Sequence, residues 1–195
     1  KPATDMVAVD LENKVFRNSD NSMLFRPGGH GALIENLNDL KEEIIFIKNI
    51  DNVAPDRLKN DTIDYKKALA GLLLKYRMRI FNYLIQIDEG NYNDTDIKDM
   101  IHFIKNELCF LPGDYLEELS EKHQVNYIKQ ILNRPIRVCG MVKNEGEPGG
   151  GPFWVKHKSG HIDLQIVESS QIDPKDKAQQ QILKSSTHFN PVDLV

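Results

Sequence analysis

Between Phe25 and Val53 the chain sets out, in order, a glycine loop, a helical period, an unbroken apolar run and a turn of asparagine and aspartate. No other stretch narrows the possible folds as much. Three of the four positions 28–31 are glycine, in Pro27-Gly28-Gly29-His30-Gly31, so the backbone is free to take positive φ and to approach a ligand that a Cβ would hold off. Ala32, Leu33, Leu37 and Leu40 then recur near a 3.6-residue period. This spacing predicts a helix whose first free amide groups face an anion or a carbonyl. Ile44-Ile45-Phe46-Ile47 is apolar without alternation and of strand length, which predicts a strand buried on both faces of a parallel sheet. Asn49-Ile50-Asp51-Asn52 follows at the carboxyl end of that strand, the place where open α/β sheets bind ligands. The expected fold is therefore α/β, a mostly parallel sheet flanked by helices, with the loop against a nucleotide base. The plainer readings are a tight turn that starts a helix, a loop histidine at His30, and an Asp51 that only braces its turn.

The rest of the chain divides around this stretch. Before it, Met6 to Val9 and Lys14 to Arg17 read as short strands joined by the polar turn Asp10 to Asn13. After it, three helices are expected. The first runs from a cap at Asp61 or Thr62 to about Asp88, with Leu69, Leu72, Leu73, Tyr76, Ile80 and Leu84 on one face, and ends at Gly90. The second is capped by Asp94 or Thr95, carries Ile97, Ile101, Ile104 and Leu108, and is broken by Pro112-Gly113; the third spans about Tyr115 to Leu132. Lys66, Lys67, Lys75, Arg77 and Arg79 read as a solvated face of the first. A strand over Ile136 to Val142 leads to a glycine- and proline-rich loop ending at Pro152. A hairpin follows, with arms Phe153 to Lys156 and Ile162 to Val167 about Ser159-Gly160, and then a helix from Asp173 to Leu183. The regions so defined are 1–60, 61–132 and 133–195.

PGGHGAL over 27–33, followed by IIFIKNIDNV over 44–53, resembles the UDP-sugar pyrophosphorylases of the nucleotide-diphospho-sugar transferase superfamily. Their pattern is a proline, a Gly-His-Gly or Gly-Asn-Gly loop and an Asn-x-Asp-Asn strand end. A second stretch, Gln165-Ile-Val-Glu-Ser-Ser-Gln-Ile172, resembles the Val-Val-Glu-Tyr-Ser-Glu-Ile element of UDP-N-acetylhexosamine pyrophosphorylases, with Ser169 where the tyrosine stands. Thr187-His188-Phe189-Asn190 resembles the next element, in which an asparagine faces the sugar. The wording is closest to an uncharacterised bacterial family, described as a domain of unknown function, that looks like a distant relative of those enzymes.

The resemblance covers most of the chain except its middle, where the pyrophosphorylases have a much shorter connection, so Asp61 to Leu132 is expected to be a helical insertion. It implies uridylyl transfer from UTP to a sugar 1-phosphate. Gly28, Gly29, His30, Gly31 and Asn52 would hold the nucleotide, Gly150, Glu168 and Asn190 the sugar, and Asp51 a magnesium ion, which takes one or two carboxylates besides phosphate and water. Glu168 ends an apolar strand as a charged acceptor suited to two sugar hydroxyls; bracing a neighbouring amide is its plainer role, and the loop before Pro152 is equally read as a bare connection. The family's phosphate-binding loop, Leu-x-x-Gly-x-Gly-Thr-Arg, has no counterpart here. This segment is thus expected to be inactive alone and to be part of a larger domain, opening as it does on Lys1 and stopping at Val195 within a strand-like stretch. A non-catalytic nucleotide- or sugar-binding module is the alternative.

Composition sharpens the partners. A net charge of −4 gives no basic surplus for nucleic acid or an anionic membrane. Cys109 and Cys139 stand 30 positions apart with no C-x-x-C, which suits a reducing cytoplasm and indicates neither a disulfide framework nor a zinc site. No run of about 18 apolar residues marks a membrane span, and no signal peptide is legible.

Overall fold

The computed structural model describes residues 4–113, 116, 118–147 and 149–195. The chain divides into two compact units, Lys1–Ile45 and Phe46–Val195.

The first unit is an antiparallel meander followed by one short helix. Strand β1 (Met6–Val7) pairs with β2 (Phe25–Arg26), and single bridges join Val9 to Val15 and Arg17 to Met23. Asp10 folds the first turn by accepting from the backbone amides of Glu12 and Lys14, each at 2.9 Å. Asp20 does the same in the second turn through Ser22, and those bonds lower its carboxyl pKa. The glycine loop then runs into a 3₁₀ turn at His30–Ala32 and helix α1 (Leu33–Asn38).

The second unit is built on three helices. Helix α2 (Lys59–Glu89) ends at Gly90, whose φ of 65° only glycine adopts without strain. Helix α3 (Asp94–Asn106) starts with a capping box: the side chain of Asn93 accepts from the amides of Thr95 and Asp96, and Asp96 returns the bond to Asn93. The cap is thus Asn93, one residue before the expected Asp94 or Thr95. Helix α4 covers Glu121–Leu132, so it starts later than the expected Tyr115; residues 114, 115 and 117 lie outside the described residues. Ile80, Tyr83, Met100, Phe103, Ile104, Val125 and Ile128 interlock between the helices, and Met100, Phe103 and Ile128 are fully enclosed. Tyr83 meets Phe103 edge-to-face with ring centroids 5.5 Å apart. The basic face of α2 is less solvated than the charge pattern implies. Arg79 lies over Phe103 and bonds Tyr83, Asp99 and Glu107, and Lys66 pairs with Asp193.

Short strands dress these helices. Strand β3 (Ile47–Lys48) pairs with β9 (Asp193–Leu194), and β4 (Phe110–Leu111) with β7 (Ile162–Val167), which also pairs with β6 (Gly151–Lys156); β5 (Val142–Lys143) pairs with β8 (His188–Phe189). Helix α5 (Lys177–Ser185) is capped by Asp176. The hairpin β6–β7 follows the expected course, turning at Gly160 with φ 90°.

The expected parallel sheet is overturned: among the described residues every strand pairing is antiparallel, in sheets of two or three strands. A parallel pair needs a crossover that returns the chain to the same end of the sheet. Here the strand after the glycine loop finds its partner instead in the returning end of the chain. Of Ile44 to Ile47 only Ile47 is in a strand, and Phe46 is 49% exposed, so the run is not buried on two faces. Both Ile47 and Cys139 face Leu194, Val138 and Val195 exchange backbone bonds, and the Gly140 amide donates to the Asp193 carbonyl. The antiparallel end of the chain thus lies between the other two segments. The middle of the chain, expected as an insertion, holds most of the buried core.

Candidate functional site

In the first unit, the glycines of the loop are there for different reasons. A Cβ on Gly28 would lie 2.6 Å from the carbonyl oxygen of Thr4 and 2.7 Å from Cβ of Ala32, so glycine is imposed by close packing. Gly29 and Gly31 have open space at that position. None of the three takes a positive φ, against expectation. Thr4, Asp5, Gly28, Gly29 and Asn36 line a cavity of about 290 Å³. Helix α1 is six residues long, and the amide of Ala32 is already bonded to Gly29, so the expected anion-facing helix start is a turn and a half with part of its donors used. The side chain of His30 lies outside the described residues.

In the second unit, Asn49-Ile50-Asp51-Asn52 is a single 3₁₀ turn at the end of β3. Asn49 caps it by accepting from the amide of Asp51 at 3.3 Å. Asn52 reaches out of the turn to donate to the carbonyl of Pro191 at 2.7 Å, and the amide of Asn49 donates to Val192 at 3.0 Å. The Asp51 carboxylate is exposed and, among the described residues, has no hydrogen-bond or ion-pair partner. An exposed, uncommitted carboxylate oxygen is the donor that a hard, well-hydrated cation such as magnesium accepts.

The segment that receives Asn52 begins at Asn190, the one buried polar residue among those described. Its amide nitrogen donates to the Gly140 carbonyl at 2.7 Å, its side-chain oxygen accepts from Val192 at 3.0 Å, and its backbone donates to the Gly150 carbonyl at 2.7 Å. Gly150 in turn sits against Glu168: a Cβ there would be 3.3 Å from Oε1 of Glu168 and only 2.5 Å from Ile166. The Glu168 backbone is held by Gln171, whose side chain accepts from its amide at 2.8 Å, and the residue is exposed. Gly150, Glu168 and Asn190, three residues far apart in sequence, are thus brought together.

Two features escaped the sequence reading. Val192 carries φ 57°, a conformation that a β-branched side chain resists, within the stretch tying Asn52 to Asn190. Asp193, half-buried, receives Lys48 on Oδ2 at 2.6 Å and Lys66 on its enclosed Oδ1 at 3.2 Å. The only sequence signal for the second was an aspartate in an otherwise apolar terminal run. Cys139 is a free thiol pushed up in pKa by burial, and Cys109 is free as well.

Across residues 1–195 the chain matches the model of the DUF4301 family, a domain of unknown function, and it belongs to that family. No curated protein and no solved structure matches it. No helix among the described residues is long and apolar enough to cross a membrane.

Proposed function

We propose that this member of the family binds a nucleotide-linked sugar on its second unit and serves uridylyl transfer from UTP to a sugar 1-phosphate, as the likeness of its motifs to UDP-sugar pyrophosphorylases implies. One observation carries the reading: the three-residue stretch Asn190–Val192 is bonded on one side to the Asp51 turn, through Asn49 and Asn52, and on the other to Gly150 beside Glu168. Two groups of residues that the motifs assign to one reaction therefore share a support, and that support is strained at Val192.

In the proposed reaction an oxygen of the sugar 1-phosphate forms a bond to the α-phosphorus of UTP. The bond from that phosphorus to the bridging oxygen breaks, and pyrophosphate leaves with the electron pair. Little covalent work falls to the protein, so its task is to place the reactants. Glu168 accepts hydrogen bonds from sugar hydroxyls. Asn190 acts through the segment it holds, because its side chain is committed to Gly140 and Val192. Asp51 would hold magnesium, which when bound supplies neutralisation of the phosphate charge. A cytoplasmic setting, where UTP and reduced cysteines coexist, and the lack of a nucleic-acid partner belong to the same proposal.

A second reading, a non-catalytic nucleotide- or sugar-binding module, is favoured by the single uncommitted carboxylate at the turn. Pyrophosphate release from UTP and sugar 1-phosphate, measured with magnesium on the full-length protein and on its Asp51→Asn variant, separates the two. Release that collapses in Asp51→Asn while the melting temperature holds supports transfer. Release absent from both, with UDP-sugar still bound, supports the module. Binding of neither UTP nor UDP-sugar overturns both readings.

A further inference from the structure

We propose that His157, His161 and Asp163, at the closed end of the β6–β7 hairpin, form a binding site for a divalent transition-metal ion, with Zn²⁺ the best match. One donor atom from each of the three side chains lies within 4.8 Å of the other two. The hairpin is what gathers them: His157 and His161 flank its turn and close it by the bond from the His157 amide to the His161 carbonyl at 2.9 Å. Asp163 stands two residues further along β7, opposite Val155 on one side and Phe110 on the other.

The side chains are held from behind as metal ligands usually are. The His161 ring is stacked on Phe110 at 4.7 Å and on His157 at 4.2 Å, and its Nδ1 is 2.8 Å from the Ser159 hydroxyl. Asp163 has one oxygen 2.7 Å from Nε2 of His157 and the other bonded by Gln165 at 3.0 Å. Two imidazoles and a carboxylate are the ligand set of open zinc sites, in which a water takes the fourth position. They are too nitrogen-rich for magnesium or calcium. Tetrahedral bonds of about 2.0–2.1 Å put donors roughly 3.3 Å apart, so the ion requires the His157–Asp163 contact to open slightly and the widest pair to close. Arg134 over the Phe110 ring at 5.0 Å is the opposing charge, and Asp163 is the anion that offsets it.

The site lies at the end of the hairpin away from Gly151 and Val167, about 17 Å distant by the strand rise, so it is separate from the proposed sugar site. Its effect is to clip the turn shut.

The test is a titration of the chelator-treated chain with zinc sulfate, read by calorimetry and by histidine ring resonances in NMR. The expected result is one ion per chain, the His157 and His161 rings shifting together, and a rise in melting temperature of about 5–10 °C at a hundredfold excess over Kd. His161→Gln and Asp163→Asn should each weaken binding at least tenfold, while UDP-sugar binding is unchanged. Should a variant fold poorly, the ring shifts of the unaltered chain decide alone. Zinc that instead moves His102, His123 or His188, that binds the variants as well as the parent, or that does not bind overturns the proposal. Because the readout is metal binding, it stands or falls apart from the nucleotide-sugar reading.

Discussion

The two units solve the problem of stability in opposite ways. Among the described residues up to Ile45, none is buried: Leu11 is fully exposed, and Phe16 and Phe25 are about half exposed. Order there comes from turns locked by Asp10 and Asp20 and from one close backbone approach at Gly28. Beyond Phe46, α2, α3 and α4 enclose a continuous core around Phe103 and Ile128. The glycine motif and the bulk of the burial therefore lie in different units. A motif specifies local backbone shape, whereas burial needs an apolar face long enough to meet another, and only the helices have one.

The sharpest way to break this comparison is to truncate an aromatic in each unit. Phe103→Ala should cost about 3–5 kcal/mol, the range for emptying an enclosed aromatic site, and Phe25→Ala less than about 1 kcal/mol. Urea denaturation followed by circular dichroism checks it, and similar losses would erase the distinction.

A smaller effect is expected at the support segment. Asn190→Ala removes a buried side chain bonded at both ends, leaving the Gly140 carbonyl and the Val192 amide without it, for about 1–3 kcal/mol. Asp51→Asn, exposed and uncommitted, should leave the melting temperature unchanged. Smaller again, Val192→Gly should stabilise by about 1 kcal/mol, as left-handed strain is relieved against the added chain entropy of glycine. A loss of stability there would show that the Val192 side chain matters more than its backbone.

The pH limits sharpen the second unit alone. Burial and the hydrogen bond to Asp99 push the Tyr83 phenol from its ordinary value near 10 up to about 12. Stability present below pH 10 should therefore decline as pH rises toward 12. Asp99, lowered by Tyr83 and then by Arg79, contributes above the ordinary carboxyl range and loses that contribution as pH falls below it. Melting temperatures from pH 3 to 12 test both edges. In Tyr83→Phe the alkaline decline should shrink, and an unchanged profile would remove Tyr83 from it.

What could be read from the sequence follows the same division. The helices of the middle were legible because Leu69, Leu73, Tyr76 and Ile80, and again Ile97, Ile101, Ile104 and Leu108, repeat at three- and four-residue spacing, and Gly90 ends the first. Their role as the core was not, since periodicity shows that a face is apolar without saying what covers it. The hairpin was legible from its alternation and Ser159-Gly160. The parallel sheet was not, because a short apolar run such as Ile44 to Ile47 has no direction of its own; its partner, Asp193–Leu194, lies 145 positions away in the pair of Lys48 with Asp193. In the candidate site, the sequence picked out Gly150, Glu168 and Asn190 as residues of one kind, but their junction depends on backbone bonds that carry no side-chain signal. The strain at Val192 leaves no trace in composition or spacing, and Asp193 shows only as an aspartate in an otherwise apolar terminal run.

The claim that chemistry gathers where Asn190–Val192 joins the Asp51 turn to Glu168 is tested most directly by calorimetry of Glu168→Gln with two ligands. A UDP-sugar should lose about 1–3 kcal/mol of binding, as charged hydrogen bonds to the sugar weaken, while UTP, which has no sugar at that position, binds as before. Equal losses for both ligands, or no loss for either, would take Glu168 out of the site and contradict the account.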